Sequence, residues 1–244
     1  MLVPFILIGF AAQLVDGALG MAYGQISSTL LISMGVPPAA ASAGVHTAET
    51  FTTAVSGISH TAHRNVDWRL FTRLVIPGVI GGVLGAYVLT SVDAAVAKPF
   101  VLVYLTALGL YLFYRGVAHK HTERRPRVVE PLGLLGGFLD AAGGGGWGGI
   151  VTSNLLVQGS NPRKTIGTVN TAEFFLTVTI SATFLVALGW QAFTTATVGL
   201  LIGGVCAAPF GAWIAKRVNA DTLLTCVGAL LTVVSRYGLY RALA

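Results

Sequence analysis

Shifted by 124 residues against itself, the chain matches without a gap from Asp16 to Thr53. Asp16 falls on Asp140, Gly20 on Gly144, Tyr23 on Trp147 and Gly24 on Gly148. Gly35 then meets Gly159, Pro38 meets Pro162, and His46-Thr-Ala-Glu49 meets Asn170-Thr-Ala-Glu173. After a short length change the match resumes at a shift of 126, with Gly85 on Gly211, Tyr111 on Tyr237, Tyr114 on Tyr240 and Arg115 on Arg241. An internal duplication on this scale restricts the fold to two related halves. They are residues 1–115 and 131–244, joined by the charged linker 116–130, GVAHKHTERRPRVVE.

Each half reads as four apolar segments: 2–33, 38–61, 69–91 and 94–115, then 131–158, 162–188, 191–215 and 221–241. Only 10% of residues are charged, against about 25% in soluble domains, and mean hydropathy is +0.76. The expected class is therefore an all-α polytopic membrane protein. A transmembrane barrel would show short alternating segments instead. The net charge of +6 sits in short loops, where it sets orientation and does not suggest nucleic acid. Cys206 and Cys226 lie apart in apolar segments, without metal or redox spacing, and read as small core residues. The first basic residue is Arg64, so the N-terminal apolar run is expected to belong to the mature fold and not to a signal peptide.

Loop charges set the topology. The linker is expected inside, which places 91–94 outside, Arg64, Arg69 and Arg73 inside, and the 34–37 turn outside. In the second half Arg163-Lys164 and Lys216-Arg217 ask to be inside and the charge-free 188–191 outside. That works only if 131–158 enters from inside and returns there. By repeat symmetry 2–33 enters and returns outside, so the halves are inverted four-segment repeats. Arg236 and Arg241 then fall outside, against the charge rule. As one helix, residues 2–33 would span about 48 Å against a hydrocarbon core of about 30 Å. A re-entrant helical hairpin broken near Gly17–Gly24 fits this length, and one long kinked crossing is the alternative.

The two break points are DGALGMAYGQI (16–26) and DAAGGGGWGGI (140–150). Inverted repeats with broken helices mark secondary transporters, with the site where the repeats meet. A glycine-rich break exposes backbone N–H groups, which bind anions where they open a helix. Glycines also permit close helix packing, but packing does not call for the dense run 143–149. The candidate substrate contacts of the tips are Tyr23, Gly24, Gln25 and Ser28 in the first, and Gly144, Gly145, Gly146, Trp147, Gly148 and Asn154 in the second. Tyr23 and Trp147 each offer a ring for stacking or one hydrogen bond. Nearby hydroxyls either face a ligand or bond back to the preceding turn.

Asp16 and Asp140 precede the tips as caps of the following half-helix or as proton carriers. Ser42, His46, Glu49, Thr53, Ser56 and His60 form a polar stripe on one face of segment 38–61, and Asn170, Glu173, Thr177 and Ser181 form its shorter counterpart. Such stripes face the interior. His46 and Asn170, which differ between the halves, are candidate ligand contacts together with Thr171; interhelical hydrogen bonding is the other reading. Glu49 and Glu173 are either structural acids or, with Asp16 and Asp140, carriers of a coupling proton that His46 could share.

These residues carry a resemblance that covers essentially the whole chain. Two homologous halves, the block GGGGWGG after the linker and the duplicated helix start PPAAASAGVHTAETF / NPRKTIGTVNTAEFF together resemble the TauE/SafE family of membrane exporters. The resemblance implies export of sulfite or an organosulfonate such as sulfoacetate. Residue chemistry alone reaches only a small oxyanion moved by alternating access, with Pro4, Pro77, Pro99 and Pro209 as sources of helix irregularity. The alternative is a divalent metal cation transporter using His46, Glu49, Glu173 and Asp16. No HExxH, GxSxG or GxxxxGK[ST] pattern appears, so neither an enzyme nor nucleotide-driven transport is expected. No cofactor and no resident metal are expected. The expected partners are a small anion, the lipid bilayer and a second copy of the chain in a homodimer. The expected location is the inner (plasma) membrane, with linker 116–130 cytoplasmic.

Overall fold

The computed structural model describes residues 2–19, 21–117, 126–190, 195–215 and 220–243. Every regular element among them is helical. In chain order these are α1 (Leu2–Leu19), α2 (Tyr23–Ser33), α3 (Pro38–Ala62), α4 (Trp68–Ser91), α5 (Ala94–Val117) and α6 (Glu130–Gly143). A π-helical turn (Gly148–Thr152) and α7 (Ser153–Val157) follow, then α8 (Pro162–Leu188), α9 (Thr195–Ala215) and α10 (Ala220–Leu243). The eight expected segments are present, and the first of each half is broken in two. The linker is shorter than expected at both ends, because α5 runs on to Val117 and α6 begins at Glu130. Residues 118–125, the Lys216-Arg217 pair and 191–194 lie outside the described residues.

The second break has a backbone cause. Gly144, Gly145 and Gly146 have φ of 75°, 140° and 158°, conformations that L side chains rarely adopt, so α6 cannot continue. In the first half Ala22 takes φ 97° without being glycine. The returning halves end alike. Val36 N–H donates to Leu31 O and Ser160 N–H to Leu155 O, each at 3.0 Å, around left-handed Gly35 and Gly159. This is the same Schellman closure at two repeat-equivalent positions.

By length and composition α4, α5 and residues 163–188 of α8 can cross a membrane. α3 is as long, but it carries the polar stripe. It crosses α8 antiparallel in the middle of the bundle: Thr53 Oγ1 lies 3.4 Å from Thr177 Oγ1, and Ser56 Oγ donates to Asn170 Oδ1 at 3.2 Å. Around this pair α1 packs on α9, α6 on α4 and α5 on α10. Small residues let these backbones meet. A Cβ on Gly137 would strike the Gly78 carbonyl, and one on Gly81 the Leu134 carbonyl. Glycine thus serves close helix packing along these helices as well as at the tips. Pro77 and Pro99 sit inside continuous helices, so neither breaks its segment.

Two observations locate the hairpin ends. Gln158, just after α7, accepts the N–H groups of Arg127 and Val128 at 2.9 Å each and returns its amide to Val128 O at 3.1 Å. Segment 130–158 thus ends where it began. Lys164 Nζ donates to Arg64 O at 2.7 Å, placing the α3–α4 turn at that same end. Residues 32–35, at the end of α2, instead line a cavity with Lys98 and Gly238, while Pro37 and Pro38 line another with Leu89 and Leu188. α1 starts beside the beginning of α9, with Phe5 against Gly199.

Outward faces are apolar, as with Val55, Phe100 and Val186. Cys206 and Cys226 also lie on exposed faces and are not core residues. In a chain whose outer solvent is hydrocarbon, an apolar residue does not mark the interior.

Candidate functional site

The site is built where the hairpin tips meet α3 and α8. A Cβ on Gly24 would lie 2.9 Å from both Gly145 Cα and Glu49 Oε1, so the tips touch backbone to backbone beside Glu49. Each tip is held by its own acid. Asp140 Oδ1 accepts Trp147 N–H at 2.8 Å, and Asp16 Oδ1 accepts Tyr23 N–H at 3.3 Å, both across seven residues. The capping geometry expected of these acids is present: each carboxylate takes up the first free donor of the returning half-helix.

The carbonyl groups of the second tip are taken up by hydroxyls from three other helices. Ser42 Oγ of α3 donates to Ala141 O at 2.8 Å and Tyr104 OH of α5 to Gly145 O at 3.1 Å. Ser28 Oγ of α2 donates to Gly144 O. The amide side is different. Gly145 N–H goes to Asp140 O and Ile150 N–H to Gly146 O, both at 2.8 Å, but among the described residues no hydrogen bond takes up the N–H groups of Gly146, Gly148 and Gly149. Gln25 Nε2 also lacks a partner, and a Cβ on Gly149 would lie 2.6 Å from it. Gln25 and Gly149 are repeat-equivalent, so the first tip fills with a carboxamide the space that the second leaves empty.

His46 is fully buried. Its Nε2 lies 3.0 Å from Asp140 Oδ2 and its Nδ1 2.8 Å from Ser42 O, with the Phe184 ring 6.5 Å away. Glu49 Oε2 is buried without a partner. Glu49 and Glu173 are within electrostatic reach of each other and of both Asp16 and Asp140. Among the described residues no buried side chain is Lys or Arg, and no three His, Cys, Asp or Glu groups converge on a metal-sized site.

The remaining candidates have local partners. Tyr23 OH donates to Leu200 O at 2.9 Å and Trp147 Nε1 to Val169 O at 3.2 Å, which fixes both rings as buried walls. They rest on repeat-equivalent glycines, Tyr23 on Gly204 and Trp147 on Gly78. Asn154 Nδ2 bonds back to Ile150 O, Thr171 Oγ1 to Gly167 O, and Asn170 to both Ile166 O and Ser56. For these three the interhelical and back-bonding reading fits the geometry better than direct ligand contact. Tyr104 was not singled out from the sequence. Its repeat equivalent is Leu230, so the mismatch between halves was the available signal.

A helical bundle with broken segments meeting at buried, unpaired backbone donors is the arrangement of a membrane transporter's substrate site. The chain belongs to the sulfite exporter TauE/SafE family, which it matches over residues 5–237. It is 43% identical over 243 residues to the probable membrane transporter protein YtnM of Bacillus subtilis (strain 168), covering 96% of this chain and 81% of that protein. It is 26% identical over 211 residues to a probable membrane transporter protein of Haemophilus influenzae (strain ATCC 51907 / DSM 11121 / KW20 / Rd), covering 84% and 81%. No solved structure matches the chain.

Proposed function

We propose that the protein exports a small sulfur oxyanion or organosulfonate, such as sulfite or sulfoacetate, by alternating access between inverted repeats. The observation that carries this reading is the set of unpaired N–H groups at Gly146, Gly148 and Gly149 opposite the unpaired Gln25 amide. A sulfonate offers three acceptor oxygens to such donors, and no basic side chain is needed. Tyr23 and Trp147 form the walls. Purified protein is expected to gain thermal stability with sulfite or sulfoacetate and not with nickel or zinc; a shift with the metals alone overturns the reading.

The inverted arrangement is supported by the two ends at which the hairpins close. It places the 63–67, 126–130 and 158–162 segments on the cytoplasmic side of the inner membrane. In a chain with Cys206 and Cys226 replaced by alanine, Val36→Cys and Ser160→Cys should react with impermeant reagents from opposite sides. Labelling of both from one side rejects the arrangement.

Glu49, with its unpartnered Oε2, and Glu173 carry the proton that accompanies the anion. Glu49→Gln and Glu173→Gln are expected to abolish the pH dependence of transport while the variants stay folded. Unchanged pH profiles in both would remove the acids from coupling.

A further inference from the structure

The His46–Asp140 contact fixes its own proton count. Nδ1 faces the Ser42 carbonyl oxygen, which only accepts, so Nδ1 carries a hydrogen. Ser42 Oγ lies 3.3 Å from the same nitrogen, but its hydrogen is directed to Ala141 O. Nε2 and Asp140 Oδ2, 3.0 Å apart, must then share one proton. Either an imidazolium donates to a carboxylate, or a carboxylic acid donates to a bare Nε2. Without that proton a lone pair faces an anion and the contact fails.

We infer that His46 and Asp140 together form a one-proton binding site that latches the second hairpin tip to α3. Asp140 also holds Trp147 N–H through Oδ1, so the state of the pair bears directly on the returning half-helix. When the shared proton leaves to water, Nδ1–H stays on Ser42 O and the tip separates from α3. The first hairpin has no such latch. Asn170 stands in place of His46, and among the described residues Asp16 holds only Tyr23 N–H. The groups around the pair are Glu49 on α3, Tyr104 from α5 and Glu173 from α8, with Asp16 of the first hairpin acting on Glu49 and Glu173. They influence where the site titrates, but none lies in the 3.0 Å contact. The site is separate from the Glu49 and Glu173 acids above and depends on neither the substrate nor the direction of transport.

Full-length protein in nanodiscs, labelled with ¹⁵N-histidine and ¹⁵N-tryptophan and free of substrate, can be titrated between about pH 5 and pH 9 to span the ordinary histidine range. One histidine signal, absent from His46→Asn, is expected to change as pH rises, either by losing one of two N–H groups or, where the proton sits on Asp140, by a shift of the bare Nε2 resonance as its hydrogen bond is lost. The Trp147 indole signal, assigned by Trp147→Phe or by elimination with Trp68→Phe, Trp190→Phe and Trp213→Phe, should move with the same midpoint. In His46→Asn, which places the equivalent residue of the other half on α3, Trp147 should not respond. If that variant fails to fold, coincidence of the two wild-type midpoints decides. A His46 signal that keeps one state, or a Trp147 signal that ignores it or responds unchanged in His46→Asn, overturns the proposal. Failure of sulfite binding leaves this titration unaffected, and a failed titration leaves oxyanion binding unaffected.

Discussion

Asp140→Ala is expected to destabilise the protein by about 3–5 kcal/mol, the range for removing one partner of a buried charged pair. The carboxylate is the acceptor for Trp147 N–H at 2.8 Å and the partner of His46 at 3.0 Å, in a setting with no water-exposed surface to compensate. Alanine leaves both groups unpaired at once. Asp16→Ala removes a single 3.3 Å bond to Tyr23 N–H and is expected to cost about 1 kcal/mol, the usual value of a helix cap. Thermal unfolding of both variants in one detergent measures the contrast. Equal losses would mean that the two acids do the same structural work and that the His46 contact adds nothing.

Gly145→Ala should be at least as damaging, by a different route. Gly145 has φ 140°, and its Cβ would sit 2.6 Å from Gln25 N and 2.8 Å from Gly24 Cα. Backbone strain of about 1–3 kcal/mol adds to an overpacking cost of similar size. Neither obstacle can swing aside, because both are backbone. The expected result is a melting temperature well below wild type and no transport. Gly35→Ala is the control: it also demands a left-handed residue, but its Cβ would meet nothing within 4 Å, so only the backbone strain remains. If Gly145→Ala melts no lower than Gly35→Ala, the tips are not in contact as described.

Much of this architecture was readable because hydropathy and duplication act on whole segments. Segments 38–61, 69–91 and 162–188 differ from α3, α4 and α8 by a residue at most at either end. The second break falls where glycine removes the reason for a helix to continue, whereas the first turns on Ala22. The hairpin reading came from loop charge, and Gln158 bonding to Arg127 and Val128 gives it a local structural counterpart. What the sequence hid was partnership at a distance. Nothing local to Ser28, Ser42 or Tyr104 says that three helices send hydroxyls to three carbonyls of one tip. Nor does His46 announce Asp140, which is 94 residues away. Such pairings depend on how α3 and α5 rotate against the second hairpin, and rotation in an apolar solvent is set by packing that composition does not record. The two cysteines went astray for the same reason.

The hydroxyls on Ala141, Gly144 and Gly145 also have a bearing on selectivity. A peptide loop ordinarily shows a solute both faces of its dipoles and discriminates little between signs. On the oxyanion reading proposed above, taking up three of the loop's oxygens with Ser42, Ser28 and Tyr104 tips its exposed dipoles toward hydrogens. The loop would then favour anions with no net charge of its own, through donors that titrate at no physiological pH. On that reading, choosing anions amid four carboxyl side chains would need no lysine or arginine, only three hydroxyl groups pointed at the right atoms.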